Sequence, residues 1–485
     1  MSVGRHTSYN IAGAVIPLAV SLITVPLYLR LIGPDRYGVL SIAWLLLGYF
    51  GLFDLGLGRA TSFRIAALRD ASPQDRADTF WAALTVNIGM GLIGGLALWL
   101  VGTYFFSEVF KVDERLRPEI LAATPLLAAA VPISTLMGVL TGALQGREKF
   151  LQTNAVSVVS TTLFQLIPLG LAAALGPNLV MILGAAVATR IMALLILAYS
   201  CHTEVTRGLL RRLEKREFAV LMRYGGWVTV TSMFGPLLTI VDRFAIGAVL
   251  GAKAVAAYNV PFQLSKQIAI LPSALLNALF PRLSAAPPAE QRLMGERATL
   301  TLASLLSLPV LAGIFLLEPF LHIWIGAELG AQGASAGRIL LIGFWANAFA
   351  LVPYTRLQAS GRPDLVAKVL LMEIPPYLGG LYLGMIHFGL LGAAMALSVR
   401  FAVDYALLTW VAGRKFVGWP ALVANAVLLV LAAWCAGKWK ITESAWWATA
   451  AALGAACLLV GWRTLPDEIK KTALQRLRSF RIKTS

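Results

Sequence analysis

Apolar runs of about twenty residues recur along this chain, separated by short clusters of charge, glycine and proline. They fall near residues 9–31, 38–58, 80–106, 120–144, 151–175, 179–200, 225–250, 256–280, 298–317, 338–358, 365–386, 390–412, 419–437 and 445–462. A bilayer-spanning helix needs ~20 mostly apolar residues, so the pattern predicts an all-α integral membrane protein of about fourteen transmembrane helices. The first run is followed by Arg30-Leu-Ile-Gly-Pro-Asp rather than a small-residue cleavage site, which predicts a retained helix and not a removed signal peptide.

The positions of Lys and Arg orient these helices. With a cytoplasmic N-terminus, 28 of the 41 cations fall on the cytoplasmic side, 8 on the far side and five inside the apolar runs. The positive-inside bias therefore predicts both termini in the cytoplasm. The longest far-side loops, near 107–119 and 318–337, are too short to fold as catalytic domains.

The first six predicted helices resemble the next six. Leu31-Ile-Gly-Pro-Asp-Arg-Tyr-Gly-Val-Leu aligns with Val249-Leu-Gly-Ala-Lys-Ala-Val-Ala-Ala-Tyr, pairing Gly33 with Gly251, and the same offset pairs Arg64 with Arg282. Farther on, Gln145-Gly-Arg-Glu-Lys-Phe aligns with Ser360-Gly-Arg-Pro-Asp-Leu, and Pro168 has a counterpart in Pro375. An even number of helices per repeat gives both halves one orientation, with a substrate path expected between them. The predicted organisation is an N-lobe over 1–200, a basic cytoplasmic loop over 201–224, a C-lobe over 225–412, two extra helices over 413–462 and a basic tail over 463–485. Ile469, Ala473, Leu474, Leu477 and Phe480 recur at helical spacing among Lys470, Lys471, Arg476, Arg478 and Arg481, so the tail reads as an amphipathic helix on an anionic leaflet.

Composition removes the main alternatives. Of 485 residues, 58% are hydrophobic and only 13% charged, too few to cover soluble domains of this size. A net charge of +17 would point to nucleic acid in a soluble protein, but here topology accounts for most of it, and no nucleic-acid partner is expected. Cys201, Cys435 and Cys457 form no CxxC pair and no metal-ligand spacing, so neither a disulfide framework nor a metal cofactor is expected.

Four motifs carry a family resemblance: Arg30-Leu-Ile-Gly-Pro-Asp-Arg-Tyr-Gly, Phe53-Asp-Leu-Gly-Leu-Gly-Arg-Ala, Ala143-Leu-Gln-Gly-Arg-Glu-Lys-Phe and Val241-Asp-Arg-Phe-Ala-Ile-Gly. With the fourteen predicted helices they make the chain resemble the multidrug/oligosaccharidyl-lipid/polysaccharide exporter superfamily, on its O-antigen (Wzx-type) polysaccharide flippase branch. That resemblance implies two pseudo-symmetric six-helix lobes around a central cavity. It also implies alternating access that carries an undecaprenyl-pyrophosphate-linked oligosaccharide from the cytoplasmic to the periplasmic leaflet of the inner membrane, for O-antigen or exopolysaccharide assembly. Other polysaccharide assembly proteins are the partners it suggests beyond the bilayer and the glycan.

Charges inside spans are costly and mark functional candidates. Arg190, Arg243, Lys266 and Arg400 fall roughly mid-span, and Arg338 nearer an end. Arginine forks and a lysine point charge both suit phosphate, so Arg190, Arg243, Lys266 and Arg400 are the expected pyrophosphate-binding set. Arg190 and Arg400 sit alike in Gly184-Ala-Ala-Val-Ala-Thr-Arg and Gly392-Ala-Ala-Met-Ala-Leu-Ser-Val-Arg. The structural alternative is internal pairing or snorkelling. It is strongest for Arg400, with Asp404 one turn on, and weaker for Arg243, because the adjacent Asp242 should point elsewhere on a helix.

Asp242, Glu373 and Asp404 are the mid-span acids and the expected ion-coupling set. With no P-loop in the chain, an ion gradient is the expected driving force. Glu373, just before the helix-breaking Pro375 and Pro376, suits H⁺ or Na⁺ coupling, with pairing to a cavity cation as the alternative. The resemblance makes Asp54, with Arg59 and Arg64, a cytoplasmic gate, against a local ion pair that fixes a helix end. Trp44, Trp81, Trp227, Trp345 and Trp419 are read as interfacial anchors or sugar-stacking platforms.

Three other functions are weighed. A multidrug cation exporter of the same fold would need an acidic or aromatic cavity, whereas five intramembrane cations face three acids. A lipid II flippase of the same superfamily fits the composition equally well. A membrane-embedded glycan polymerase or ligase would need catalytic groups or a large periplasmic loop, and only four His occur; the chain therefore reads as a transporter and not an enzyme.

Overall fold

The computed structural model describes residues 3–49, 57–68, 71–209, 238, 240–413, 419–467 and 470. Among them the chain is helical throughout and contains no β-strand. The helices are α1 (Val3–Tyr49), α2 (Leu57–Ala67), α3 (Pro73–Tyr104), α4 (Arg117–Gly146), α5 (Phe150–Leu175), α6 (Leu179–Cys201) and α7 (Val241–Val249). They continue with α8 (Ala252–Lys266), α9 (Ile270–Ala285), α10 (Pro288–Ile325), α11 (Ala327–Ala359), α12 (Pro363–Val411), α13 (Trp419–Lys438) and α14 (Ser444–Thr464).

Ten stretches of helix among the described residues are long and apolar enough to cross a membrane, against the fourteen segments expected from the sequence. Part of the difference comes from the expected segments near 38–58 and 225–250, which run into residues outside the described ones, and part from two passes that share one helix. Residues 363–411 run as one 49-residue helix broken at Gly389, whose φ of 58° and ψ of −133° are non-helical. At 1.5 Å per residue such a run is about 74 Å long, more than twice the ~30 Å hydrocarbon core, so α12 supplies two passes. In α1 the break is Gly33, with φ 79° and ψ 165°. Both breaks fall where the hydrophobic pattern places a boundary, and both need glycine because side chains clash in these regions. Gly251, the residue aligned with Gly33 by the internal offset, also has positive φ, 91°.

The chain divides into two compact units, Met1–Ala256 and Ala257–Ser485. The sequence reading instead starts the second lobe at 225. Residues 241–256 group with the first unit because Phe110 packs on Gly247, the Lys111 ammonium donates to the Val249 carbonyl at 2.9 Å, and the Gly38 backbone lies against Ala252. Residues 210–237, which hold most of the expected basic loop and seventh span, lie outside the described residues, as does the tail from 471.

In the first unit Ile65, Phe80, Leu140, Leu144 and Leu197 form a buried core shared by α2, α3, α4 and α6. Small residues let these helices touch closely: Gly142 of α4 meets the Gly58 carbonyl of α2, and Gly91 of α3 meets Pro132. The Glu119 carboxylate pairs with Arg36 of α1 at 3.1 Å and accepts from the backbone of Leu179, satisfying a free N–H at the start of α6. In the second unit Ala350, Leu357, Val369 and Leu408 pack α11 against both halves of α12. There the Trp345 indole donates to the Ser307 hydroxyl at 2.9 Å, joining α11 to α10.

Candidate functional site

Two charged clusters are described, one in each unit. The first unit's cluster centres on Arg190 in α6. Its guanidinium carbon sits 4.9 Å from the centroid of the Phe164 ring in α5. Phe164 is 6.1 Å from Trp44, which meets Tyr28 edge-on at 4.9 Å and Tyr37 at 6.3 Å, all three in α1. Pro168 lacks the N–H that would bond the Phe164 carbonyl, so α5 is loosened at this turn. The Tyr28 hydroxyl donates to the Gln165 carbonyl at 2.7 Å and the Thr24 hydroxyl to the Gln165 side-chain oxygen at 2.9 Å. Arg190 Nε and the Trp44 indole nitrogen are buried without a hydrogen-bond partner, and no acid pairs with Arg190 among the described residues. The cluster is thus a cation on an aromatic wall, with unspent donors.

The second unit's cluster joins the two halves of α12. The turn at Gly389 folds the helix back on itself, and Gly384 and Gly392 touch backbone to backbone beside it. This return brings Arg400 Nε within 3.3 Å of Glu373 Oε2, with both side chains buried. The Arg400 guanidinium carbon lies 5.3 Å from the Tyr377 ring centroid and 5.9 Å from that of Phe401. Asp404 lies within electrostatic reach of both Glu373 and Arg400. Both Glu373 oxygens and Arg400 Nε and Nη1 are buried without hydrogen bonds. Two carboxylates and one guanidinium sum to −1, and a buried charge without a counterion is costly. One monovalent cation, H⁺ or Na⁺, brings the cluster to neutrality.

The remaining expected residues are differently placed. Asp242 does not point away from Arg243: its Oδ1 accepts from Arg243 Nη1 at 3.0 Å and from the Arg243 backbone N–H at 2.9 Å. Asp242 lies in the first turn of α7, where N–H groups are free, and the long arginine folds back to the same oxygen. Lys266 falls near the middle of the 34-residue stretch Ala252–Ala285, where α8 gives way to a short 3₁₀ turn over Gln267–Ala269, and the lysine is exposed. Arg400 takes Glu373 as its partner at contact distance, where the i, i+4 spacing pointed to Asp404. Arg338 pairs with Glu318. Asp54 lies outside the described residues, and so does the Arg59 side chain; Arg64 is half-buried in the last turn of α2. Of the tryptophans, Trp44 lies in the Arg190 cluster, Trp345 is buried, Trp81 donates to the Leu209 carbonyl at 3.0 Å and Trp419 is exposed. Trp227 lies outside the described residues.

Sequence reasoning missed Phe164, Gln165, Tyr28 and Tyr377. A usable signal was present: Phe164 precedes Pro168 in α5, and Tyr377 follows Pro376 in the first half of α12, which stays helical through Pro375 and Pro376, where the sequence predicts a break, and breaks only at Gly389. Among the described residues no group of three His, Cys, Asp or Glu is placed to hold a metal ion.

A family profile described as "Polysaccharide biosynthesis protein" matches residues 3–286, and one described as "MatE" matches residues 228–376. A putative O-antigen transporter of Shigella flexneri is 30% identical over 419 residues, covering 85% of this chain and 98% of that protein. Among solved structures, lipid II flippase MurJ in an inward closed conformation is similar, with a TM-score of 0.70 at 13% identity over 96% of this chain and 99% of that one. An inward-facing multidrug resistance MATE family transporter gives 0.66 at 16% identity over 83% and 97%. A MOP superfamily transporter from Pyrococcus furiosus gives 0.57 at 14% identity over 90% and 96%. At these identities the structures establish a shared multi-pass membrane fold. The profile covering more than half of the chain, with a relative matched over nearly its whole length, shows that the chain belongs to the polysaccharide biosynthesis protein family.

Proposed function

We propose that this transporter moves an undecaprenyl-pyrophosphate-linked oligosaccharide, an O-antigen or exopolysaccharide repeat unit, from the cytoplasmic to the periplasmic leaflet of the inner membrane. In this reading the two units form pseudo-symmetric lobes that alternate access, and a proton or sodium gradient drives the cycle. The observation that carries the reading is Arg190, a largely enclosed cation with no acid beside it among the described residues and an aromatic wall around it. A guanidinium suits a pyrophosphate oxygen, and Trp44 and Tyr28 suit the faces of sugar rings. An organic-cation substrate would meet the wrong charge there. The name of the Shigella relative supports the same substrate class.

The Glu373, Arg400 and Asp404 cluster supports the coupling role. Loading one H⁺ or Na⁺ neutralises it, so its two charge states can bias the second unit between conformations. Arg243 and Lys266 stay in the proposed binding set on different terms. Arg243 must release Asp242 to bind a phosphate, which makes that pair an exchange point, and Lys266 is exposed at a helix break. Asp54, Arg59 and Arg64 remain the proposed cytoplasmic gate.

The test is a deletion strain complemented at matched membrane levels. Undecaprenyl-linked glycan should accumulate in the deletion strain, disappear with the wild-type gene and persist with Arg190→Ala. A deletion strain that accumulates no lipid-linked glycan would refute the substrate class.

A further inference from the structure

A cavity of about 460 Å³ opens in the second unit between α11, α13 and the second half of α12. Its polar side is Ser335, Arg338 and Lys438, and its apolar side includes Ile342, Leu391 and Val430. Transport as proposed above uses none of these residues. Arg338 is 7% exposed. One nitrogen pairs with Glu318, a half-exposed side chain, while its Nε is buried with no hydrogen-bond partner. Its Nη1 faces Gly437 of α13, where an added Cβ would come within 3.4 Å.

The tryptophans give this end of the unit its depth in the membrane. Lys438 Nζ sits 4.9 Å from the Trp434 ring centroid and 5.2 Å from that of Trp439. Trp434 and Trp447 are both 59% exposed. Exposed tryptophans clustered with a lysine at a helix end mark the membrane–water interface. Glu318 offsets Arg338, so Lys438 leaves the rim with one net positive charge. The cavity therefore pairs a cationic, donor-bearing mouth at headgroup level with an apolar floor that runs toward the hydrocarbon.

We infer that this cavity is a binding site for the phosphodiester headgroup of an anionic phospholipid, which fills the gap between α11 and α13. The phosphate is taken by Arg338, Ser335 and Lys438, and the acyl chains lie along Ile342, Leu391 and Val430. Gly437 keeps the mouth open, because any larger side chain would stand against the guanidinium. A single net charge matches a monoanionic phosphodiester, and the apolar floor distinguishes a lipid from a free anion.

Native mass spectrometry of the full-length protein released from mixed micelles tests this, using phosphatidylglycerol and phosphatidylcholine as probes. The wild type should retain phosphatidylglycerol in preference to phosphatidylcholine. Lys438→Gln should lower that retention about fivefold, the effect of one cation at a membrane surface, and Gly437→Leu should lower it at least as much with all charges intact. Lys440→Gln, just outside the cavity, should leave it unchanged, and melting temperatures should show all three variants folded. Equal retention by the variants, equal retention of phosphatidylcholine, or displacement of the lipid by equimolar inorganic phosphate would each overturn the assignment.

Discussion

Arg400 Nε lies 3.3 Å from Glu373 Oε2 because one helix reverses at Gly389 and lays its second half against its first. In the first unit, where α5 and α6 are separate helices, Arg190 has an aromatic partner, Phe164, and no acid among the described residues. Similar positions in the two halves of the sequence thus carry different electrostatics: one arginine is available to an anion, the other is held in an acid cluster.

Glu373→Gln removes one charge from that cluster and leaves Arg400 balanced by Asp404 without any loaded ion. Glycan flipping should continue at a reduced rate but become insensitive to collapse of the ion gradient. Ionophore titration of flipping in proteoliposomes reads this directly, and a variant as ionophore-sensitive as the wild type would count against the coupling role.

Arg400→Ala strands two carboxylates in the interior. Removing one partner of a buried pair costs about 3–5 kcal/mol, so the variant should melt well below the wild type in detergent. Combining it with Glu373→Gln should recover a large part of the loss, since fewer acids are then left without a counterion. A double variant no more stable than Arg400→Ala would argue that the guanidinium packs on Tyr377 and Phe401 and does little for the acids.

Gly389→Val places a β-branched side chain at φ 58° and ψ −133°, a region close to glycine-only. The expected cost is about 1–3 kcal/mol. Folded yield should fall, while Gly379→Ala, on the same helix with nothing near its Cβ position, should be tolerated. Fluorescence-detected size-exclusion profiles of the two variants make the comparison.

Phe164→Leu keeps an apolar residue beneath Arg190 and removes the ring face. A cation–π contact at such a site is worth about 1 kcal/mol, roughly fivefold. Export should drop by about that factor if the ring positions the guanidinium, and Phe164→Tyr should retain it. Quantified surface glycan at matched protein levels distinguishes the two.

The helix boundaries at Gly33 and Gly389 were legible in the sequence because each stands where an apolar run is interrupted, and both runs are too long for one crossing. Arg190, Glu373 and Arg400 were legible as candidates because charge is rare inside apolar runs. Their partners were not. The i, i+4 rule sees only one helix, and the Gly389 reversal brings Glu373 to Arg400 from the other half of α12. Adjacent residues diverge on a regular helix, yet Asp242 and Arg243 meet because they occupy a helix's first turn and arginine is long. Lys266 sits in an unbroken apolar pattern, and hydropathy does not register a local switch to a 3₁₀ turn. Phe164 and Trp44 gain significance only from a tertiary contact between α5, α6 and α1.

The most direct measurement is flipping of an undecaprenyl-pyrophosphate-linked oligosaccharide in proteoliposomes under an imposed ion gradient, comparing wild type, Arg190→Lys and Arg190→Ala. The wild type should flip the lipid-linked glycan, Arg190→Lys should retain part of the activity through a point charge, and Arg190→Ala should lose about tenfold or more, as expected for a lost charged contact. Equal rates for Arg190→Ala and the wild type would contradict the assignment of Arg190 to the pyrophosphate.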